Sequence, residues 1–74
     1  MRVYPNPTTD ELVIEHAATG SAIKLLNMMG QVLYGGIVNS EHFVVSTRNL
    51  VSGMYILQVA DDAGNRITKT IVKQ

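Results

Sequence analysis

Histidine, serine and acidic residues are the side chains of this chain that could carry chemistry. The two histidines, His16 and His42, fall near different turns and lack the spacing of a metal-chelating pair. We therefore expect both at the surface or rim, with no metal bound between them. A serine triad needs a base held by a carboxylate next to the nucleophile, and Ser46 and Ser52 lie in no strained, glycine-flanked turn. This pattern argues against a serine triad.

Two acidic clusters leave a calcium site open as an alternative. Asp61 and Asp62 stand close to Asn65, and Asp10 is followed by Glu11. Carboxylate and amide oxygens are calcium ligands, but acidic turn residues are more often simply solvated. We expect solvated turns, with no metal and no cofactor.

Other ligand classes find little support in the composition. Gly35-Gly36 precedes no helix, so turn chemistry explains the pair better than a phosphate-binding loop does. Three tyrosines, one phenylalanine and no tryptophan are too few for a platform that stacks bases or sugars. Six basic and six acidic residues cancel without forming a run, so neither nucleic acid nor anionic lipid is an expected partner. Together these features predict a chain that is not an enzyme.

The length predicts one domain, residues 1–74, with a thin core. A chain of this size buries only about 60% of its unfolded surface. No cysteine is present, so packing alone must hold the core. No apolar stretch approaches the roughly 20 residues of a membrane-spanning helix. Met1-Arg2 leads into no hydrophobic stretch, so no signal peptide is present here, and we expect the mature chain to begin elsewhere.

The elements that must position these residues are strands. β-Branched residues dominate the apolar set, and Gly, Asn, Asp and Pro punctuate it every eight to twelve residues, as in β-sandwiches. The pattern is that of an all-β sandwich or barrel, and we expect a small seven-stranded antiparallel Greek-key sandwich of the immunoglobulin-like kind. The predicted strands are residues 2–5, 12–16, 22–27, 31–35, 42–47, 54–60 and 65–73. Tight hairpin turns are expected at residues 27–30 and 62–65, each with a glycine in a left-handed conformation.

Alternation in the sixth strand predicts its buried face. Tyr55, Leu57 and Val59 fall on one side, and we expect them in the core together with Leu25 and Leu50. The segment from Leu50 through Gly53 to Tyr55 also resembles a tyrosine corner, in which the phenol bonds to backbone a few residues upstream. In the seventh strand, Lys69 and Lys73 share a face with Ile67 and Ile71. That strand is expected at a sheet edge, where it could pair with a partner or a second copy.

Four motifs occur in a fixed order along residues 3–73. They are Val3-Tyr4-Pro5-Asn6-Pro7-Thr8-Thr9-Asp10; the hairpin Ile23-Lys24-Leu25-Leu26-Asn27-Met28-Met29-Gly30-Gln31-Val32-Leu33; Leu50 with Ser52-Gly53-Met54-Tyr55; and Lys69-Thr70-Ile71-Val72-Lys73. In this order they resemble the type A C-terminal sorting domain of the type IX (Por) secretion system of Bacteroidetes. One departure is the extra Gln74 after the terminal lysine.

The resemblance implies a transport role. Such a domain sits at the end of a larger cargo protein, engages the outer-membrane type IX translocon, and is removed in many cases by a sortase-like peptidase. The cargo is then secreted or displayed at the cell surface, in some cases joined to lipopolysaccharide. The residues that the resemblance marks for recognition are Gly53, Tyr55, Lys69, Ile71, Val72 and Lys73. For Gly53 and Tyr55, a requirement of the fold is the simpler explanation, whereas Lys69 and Lys73 are better candidates for a surface that a partner contacts.

A second class of function stays open from the residues alone. An immunoglobulin-like or fibronectin-like module for adhesion or carbohydrate binding would share the fold. A sugar-binding module needs exposed planar aromatic rings, and only Tyr4 and Tyr34 could serve.

Overall fold

The computed structural model describes residues 1–74 and contains seven β-strands and no α-helix. The strands are β1 (Arg2–Tyr4), β2 (Glu11–Glu15), β3 (Ala22–Asn27), β4 (Val32–Ile37), β5 (His42–Ser46), β6 (Gly53–Ala60) and β7 (Arg66–Lys73). No helical segment is present with the length and apolar character needed to cross a membrane.

The strands form two antiparallel sheets that pack as a sandwich. One sheet has the order β1-β2-β5 and the other the order β4-β3-β6-β7. Within each sheet every neighbouring pair of strands is antiparallel. The chain changes sheets between β2 and β3, between β4 and β5, and between β5 and β6, which is the Greek-key arrangement of immunoglobulin-like domains. The predicted fold class is therefore confirmed.

The core lies between the sheets and follows the period of two. Tyr55, Leu57 and Val59 are buried, while Ile56 and Gln58 between them are only partly so. The complete set of buried apolar residues is Leu12, Ile14, Ile23, Leu25, Val38, Val45, Tyr55, Leu57, Val59 and Ile71. Leu50, which was also expected in the core, is half-buried and packs against its margin. Burial of about ten such side chains, each stabilised by about 1.5–3 kcal/mol, is the main force that holds the sheets together.

Two hairpin turns are stabilised by the same kind of hydrogen bond, from backbone amides to a side-chain oxygen at the start of the turn. Asn27 Oδ1 accepts hydrogen bonds from the amides of Met29 and Gln31, and Asp61 Oδ1 accepts them from Ala63 and Asn65. In each turn a glycine lies in the left-handed region, Gly30 at φ +85° and Gly64 at φ +88°. Both predicted turns are present. The second begins one residue earlier than expected, because Asp61 provides the carboxylate that orders it.

The Gly35-Gly36 pair was expected in a turn, and that expectation is wrong. Both glycines lie inside β4, paired with Lys24 and Ile23 of β3. A Cβ atom on Gly36 would lie 3.0 Å from the Tyr34 hydroxyl and 3.2 Å from Cζ of Phe43. The rings of Tyr34 and Phe43 lie over Gly36, and any larger residue at position 36 would crowd them. The position therefore favours glycine.

Candidate functional site

Pairing of β6 with β7 gathers the residues that the sequence marked for recognition. Gly53 lies opposite Lys73, Tyr55 opposite Ile71, and Leu57 opposite Lys69. We call this region, residues 53–57 of β6 with residues 69–73 of β7, the terminal corner. Residues far apart in sequence thus share one end of the four-stranded sheet. The arrangement does not by itself separate structural residues from residues that a partner contacts.

Gly53 and Tyr55 have structural roles. The Tyr55 hydroxyl donates a 2.6 Å hydrogen bond to the carbonyl oxygen of Val51, and the tyrosine is 5% exposed. The predicted tyrosine corner is therefore present. Gly53 has φ +152°, and a side chain at this position would meet no heavy atom within 4 Å of its Cβ. Its backbone conformation, and not crowding, therefore favours glycine.

The four marked residues of β7 differ in their access to solvent. Ile71 is 1% exposed and belongs to the core, whereas Val72 is 37% exposed on the outer face, opposite Met54. Lys69 is exposed and Lys73 half-buried, although both lie on the inner face with Ile71. The three-stranded sheet therefore covers only the last part of β7, and the inner face of its first part is open to solvent. A partner could contact Lys69, Val72 and Lys73 without unfolding the domain.

A segment that the sequence did not mark for recognition lies along the edge of this corner. Asn6 Nδ2 donates to the carbonyl oxygen of Thr70, and Asn6 Oδ1 accepts from the amide of Val72, both at 3.0 Å. The Thr8 amide donates to the Val72 carbonyl at 2.8 Å, and the Gln74 amide donates to the Thr8 carbonyl at 3.0 Å. Residues 6–8 therefore cover the outer edge of the second half of β7. The expected edge strand is present, but only its first half is free to pair.

Thr8 also joins the two sheets. Its hydroxyl donates to the Glu11 carbonyl at 2.8 Å and shares a 3.1 Å hydrogen bond with the Thr47 hydroxyl. Both threonines are fully buried, and every buried side-chain polar atom has a partner. The sequence signal for the contact of residues 6–8 with β7 is Asn6 between two prolines. Neither proline can donate a backbone hydrogen bond, so the Asn6 side chain makes the bonds to β7 instead.

An apolar surface borders the terminal corner on its outer face. Met54 is 51% exposed beside Val72, and Val51 is 78% exposed just before β6. The β3–β4 turn at the same end adds Met28 and Met29, which are 60% and 93% exposed. Exposed methionines adapt readily to partner surfaces. Lys69 and Lys73 lie on the inner face, so the corner offers apolar contact on one face and positive charge on the other.

The remaining candidate residues do not form a catalytic centre. His42 Nε2 lies 2.5 Å from Glu15 Oε2, and Arg2 Nη1 lies 3.5 Å from Glu15 Oε1, so the Glu15 carboxylate links β1, β2 and β5. His16 is exposed, so both histidines lie at the surface as expected. Desolvation and the hydrogen bond to Glu15 raise the pKa of Tyr4 above its usual value.

Amide groups of the turn at Asp61 hydrogen-bond to the Asp61 carboxylate and so order the turn. The Asn65 side chain donates to Asp61 Oδ2 at 3.0 Å, and the backbone amides of Ala63 and Asn65 donate to Oδ1. These hydrogen bonds, the Asn65 side chain first, hold the pKa of Asp61 below its usual value. No group of three His, Cys, Asp or Glu side chains has the geometry to hold a metal ion.

The aromatic rings offer no sugar-binding platform. Tyr34 packs against the core, and the guanidinium of Arg2 lies 5.0 Å from the centre of the Tyr4 ring. One face of Tyr4 is therefore covered, and Tyr34 is engaged inside the domain.

Comparison with known proteins connects this fold to a secretion system. Residues 2–74 match the sequence profile described as the secretion system C-terminal sorting domain. No curated protein matches the sequence. A solved structure of PorZ, an essential bacterial surface component of the type-IX secretion system of human oral-microbiomic Porphyromonas gingivalis, has a similar fold, with a TM-score of 0.87 at 22% identity. The alignment covers 99% of this chain and 11% of that one.

Proposed function

This chain belongs to the family of type IX secretion system C-terminal sorting domains, and from that premise we propose that it is a folded export signal that carries an upstream cargo protein through the outer-membrane translocon. Export by this route leads across the outer membrane to the cell surface or the medium. The observation that carries the proposal is the family match over residues 2–74, which spans all seven strands of the fold.

Recognition would use the terminal corner. Lys69, Val72 and Lys73 are accessible, and the exposed apolar side chain of Met54 lies beside Val72 on the outer face. Gly53, Tyr55 and Ile71 would contribute indirectly, because they hold β6 and β7 in the register that places the lysines. The partner would therefore contact a folded surface.

We propose that the domain acts without catalysis and that a sortase-like peptidase of the host removes it after export. The first part is supported by the side chains, because the histidines, serines and carboxylates engage in folding contacts or face solvent separately; the second rests on the family resemblance. The alternative of a carbohydrate-binding module finds less support, because Arg2 covers one face of Tyr4 and Tyr34 packs against the core.

A fusion experiment tests the export role. Residues 1–74 are placed behind a periplasmic signal peptide and a fluorescent reporter, in a host with a working type IX system. The reporter should reach the medium or cell surface, and should stay in the periplasm when the translocon gene is deleted. Export that continues without the translocon would contradict the proposal.

The role of the lysines is tested with the double variant Lys69→Glu/Lys73→Glu. It should melt within a few degrees of the parent, since Lys69 is exposed, Lys73 is only half-buried, and surface charges are usually worth under about 1 kcal/mol, but lose most of its export. The matched control is Lys24→Glu/Arg66→Glu, which makes the same charge change at exposed positions outside the corner. Normal export of the first variant, or equal loss in the control, would rule out recognition through the lysines.

A further inference from the structure

The two flanks of the sandwich are closed in different ways. On the flank of β1 and β7, residues 6–8 hydrogen-bond along β7, while Thr8 also bonds to β2 and to Thr47. On the flank of β4 and β5, no segment hydrogen-bonds to both strands, and the side chains of Tyr34 and Phe43 meet over Gly36. No chain segment runs along the outer edge of β4, because β3 is its sole neighbour in the sheet.

The free edge of β4 presents unpaired backbone groups. Val38 directs its amide and carbonyl to residues 21 and 20, on the β3 side. By alternation Gly36 also faces β3, so the amides and carbonyls of Gly35 and Ile37 point away from the sheet. Outside the ladders, no turn, loop or side-chain hydrogen bond involves the backbone of these two residues.

This edge also lacks the features that normally discourage pairing. Residues 31–39 contain no charge and no proline. Val32, Leu33 and Ile37 are 51%, 42% and 59% exposed. Lysine, proline or short strands protect most natural edges. Among the other edges, β1 has three residues and is followed by Pro5 and Pro7, and β7 carries Arg66 and the cover of residues 6–8. The third, β5, has only five residues, and the His42 carbonyl at its start accepts a hydrogen bond from the Ser40 hydroxyl.

We infer that β4 is a self-association edge, at which two copies of this chain pair antiparallel about a twofold axis. Another strand can hydrogen-bond to a row of outward amides and carbonyls. A second copy of β4, placed antiparallel, sets its own carbonyls opposite these amides and its amides opposite these carbonyls. The chain has six basic and six acidic residues, so no net charge opposes the approach of two copies. The product is a continuous eight-stranded sheet made from the two four-stranded sheets.

Gly36 is the natural centre of this pairing. With Gly36 on the twofold axis, Ile37 of each copy lies opposite Gly35 of the other, and both residues direct their backbone groups outward. The side chain of Ile37 then lies over Gly35 of the opposing strand, which has no side chain. The two Ile37 side chains lie diagonally across the axis, close enough for long charged replacements to interact.

Charge complementation at residue 37 tests the inference. Ile37→Lys and Ile37→Glu each place a charge on an exposed position, so both should keep the fold and weaken dimerisation at least about tenfold. Mixed in equal amounts, they should form a one-to-one heterodimer, measured by sedimentation velocity and native mass spectrometry. Thr68→Lys is the matched control, because it adds the same charge to an exposed residue of the opposite edge strand, β7, and should leave the parent dimer unchanged.

Amide hydrogen exchange of the unaltered chain gives a second measurement that needs no variant. The amides of Gly35 and Ile37 should gain protection as concentration rises, while that of Thr68 should not. A parent chain that stays monomeric to about 1 mM, a dimer weakened by Thr68→Lys and not by the Ile37 variants, or no heterodimer in the mixture would each overturn the inference. A dimer that survives dilution for hours would indicate exchanged strands instead, and would also overturn it.

Discussion

The hydroxyl of Tyr55 is the single polar group whose contribution can be isolated most cleanly. It donates at 2.6 Å to the Val51 carbonyl and fixes the chain as it enters β6. We expect Tyr55→Phe to lower the free energy of unfolding by about 0.5–1.5 kcal/mol, the net value of one such hydrogen bond. Tyr34→Phe is the matched control, because the Tyr34 hydroxyl has no hydrogen bond within the chain and its loss should change stability by under about 0.5 kcal/mol. Urea denaturation of both variants measures the difference, and equal effects would argue against the corner as a stabilising contact.

The Asp61 carboxylate gives the domain a pH dependence of known sign. Its folded-state pKa is lowered, chiefly by the Asn65 side chain. Its stabilising effect is therefore complete above the unfolded-state pKa of about 3.9 and is lost as pH falls through the lower folded value. An NMR titration should find Asp61 below the usual aspartate range, and Asn65→Ala should raise its pKa. In Asp61→Asn, this part of the acid destabilisation should disappear. A titration of Asp61 in the ordinary range would contradict the assignment.

At the scale of elements, the strands were predictable because alternation and turn chemistry act locally. All seven predicted strands are present, each with ends within two residues of the prediction. The misplaced Gly35-Gly36 shows the limit of local reasoning. Glycine in a turn and glycine under packed rings look the same in sequence, because the folded chain has to bring Tyr34 and the distant Phe43 over Gly36. The hydrogen bonds of Asn6 to β7 were missed for the same reason, since their partners lie more than 60 residues away.

Asn6 should stabilise the end of β7 through two hydrogen bonds. Asn6→Ala removes both the donor to Thr70 and the acceptor for the Val72 amide. We expect a loss of about 1–2 kcal/mol and faster hydrogen exchange at the Val72 amide. Asn49→Ala is the control, because Asn49 is equally exposed and its side chain makes no hydrogen bond. Unchanged exchange at Val72 would mean that residues 6–8 only lie beside β7.

At the scale of the whole molecule, the core and the site were predictable to different degrees. Alternation placed Leu25, Tyr55, Leu57 and Val59 correctly inside. The residues marked for recognition were taken from a family resemblance, and the β6–β7 register then brought them together. The exposure of these residues depends on how much of β7 the three-stranded sheet covers. The alternation of residues along the sequence carries no information about that coverage. Lys69 is exposed on the same face that buries Ile71 for this reason.

The thin core makes the whole domain sensitive to one central side chain. Leu57 is 1% exposed in β6, between β3 and β7, and faces the three-stranded sheet. Leu57→Ala should lower the free energy of unfolding by about 2–5 kcal/mol, from lost burial and the cavity left behind. Domains of this size are stable by only about 5 kcal/mol or somewhat more, so a large unfolded fraction should appear in circular dichroism at moderate temperature. Leu33→Ala removes the same atoms from a residue that is 42% exposed, and should cost much less.

Because we expect the translocon to contact a folded surface, Leu57→Ala should also reduce export of the reporter in proportion to its unfolded fraction, and Leu33→Ala should not. Full export of an unfolded Leu57→Ala domain would show that a linear segment, and not the folded corner, is the signal.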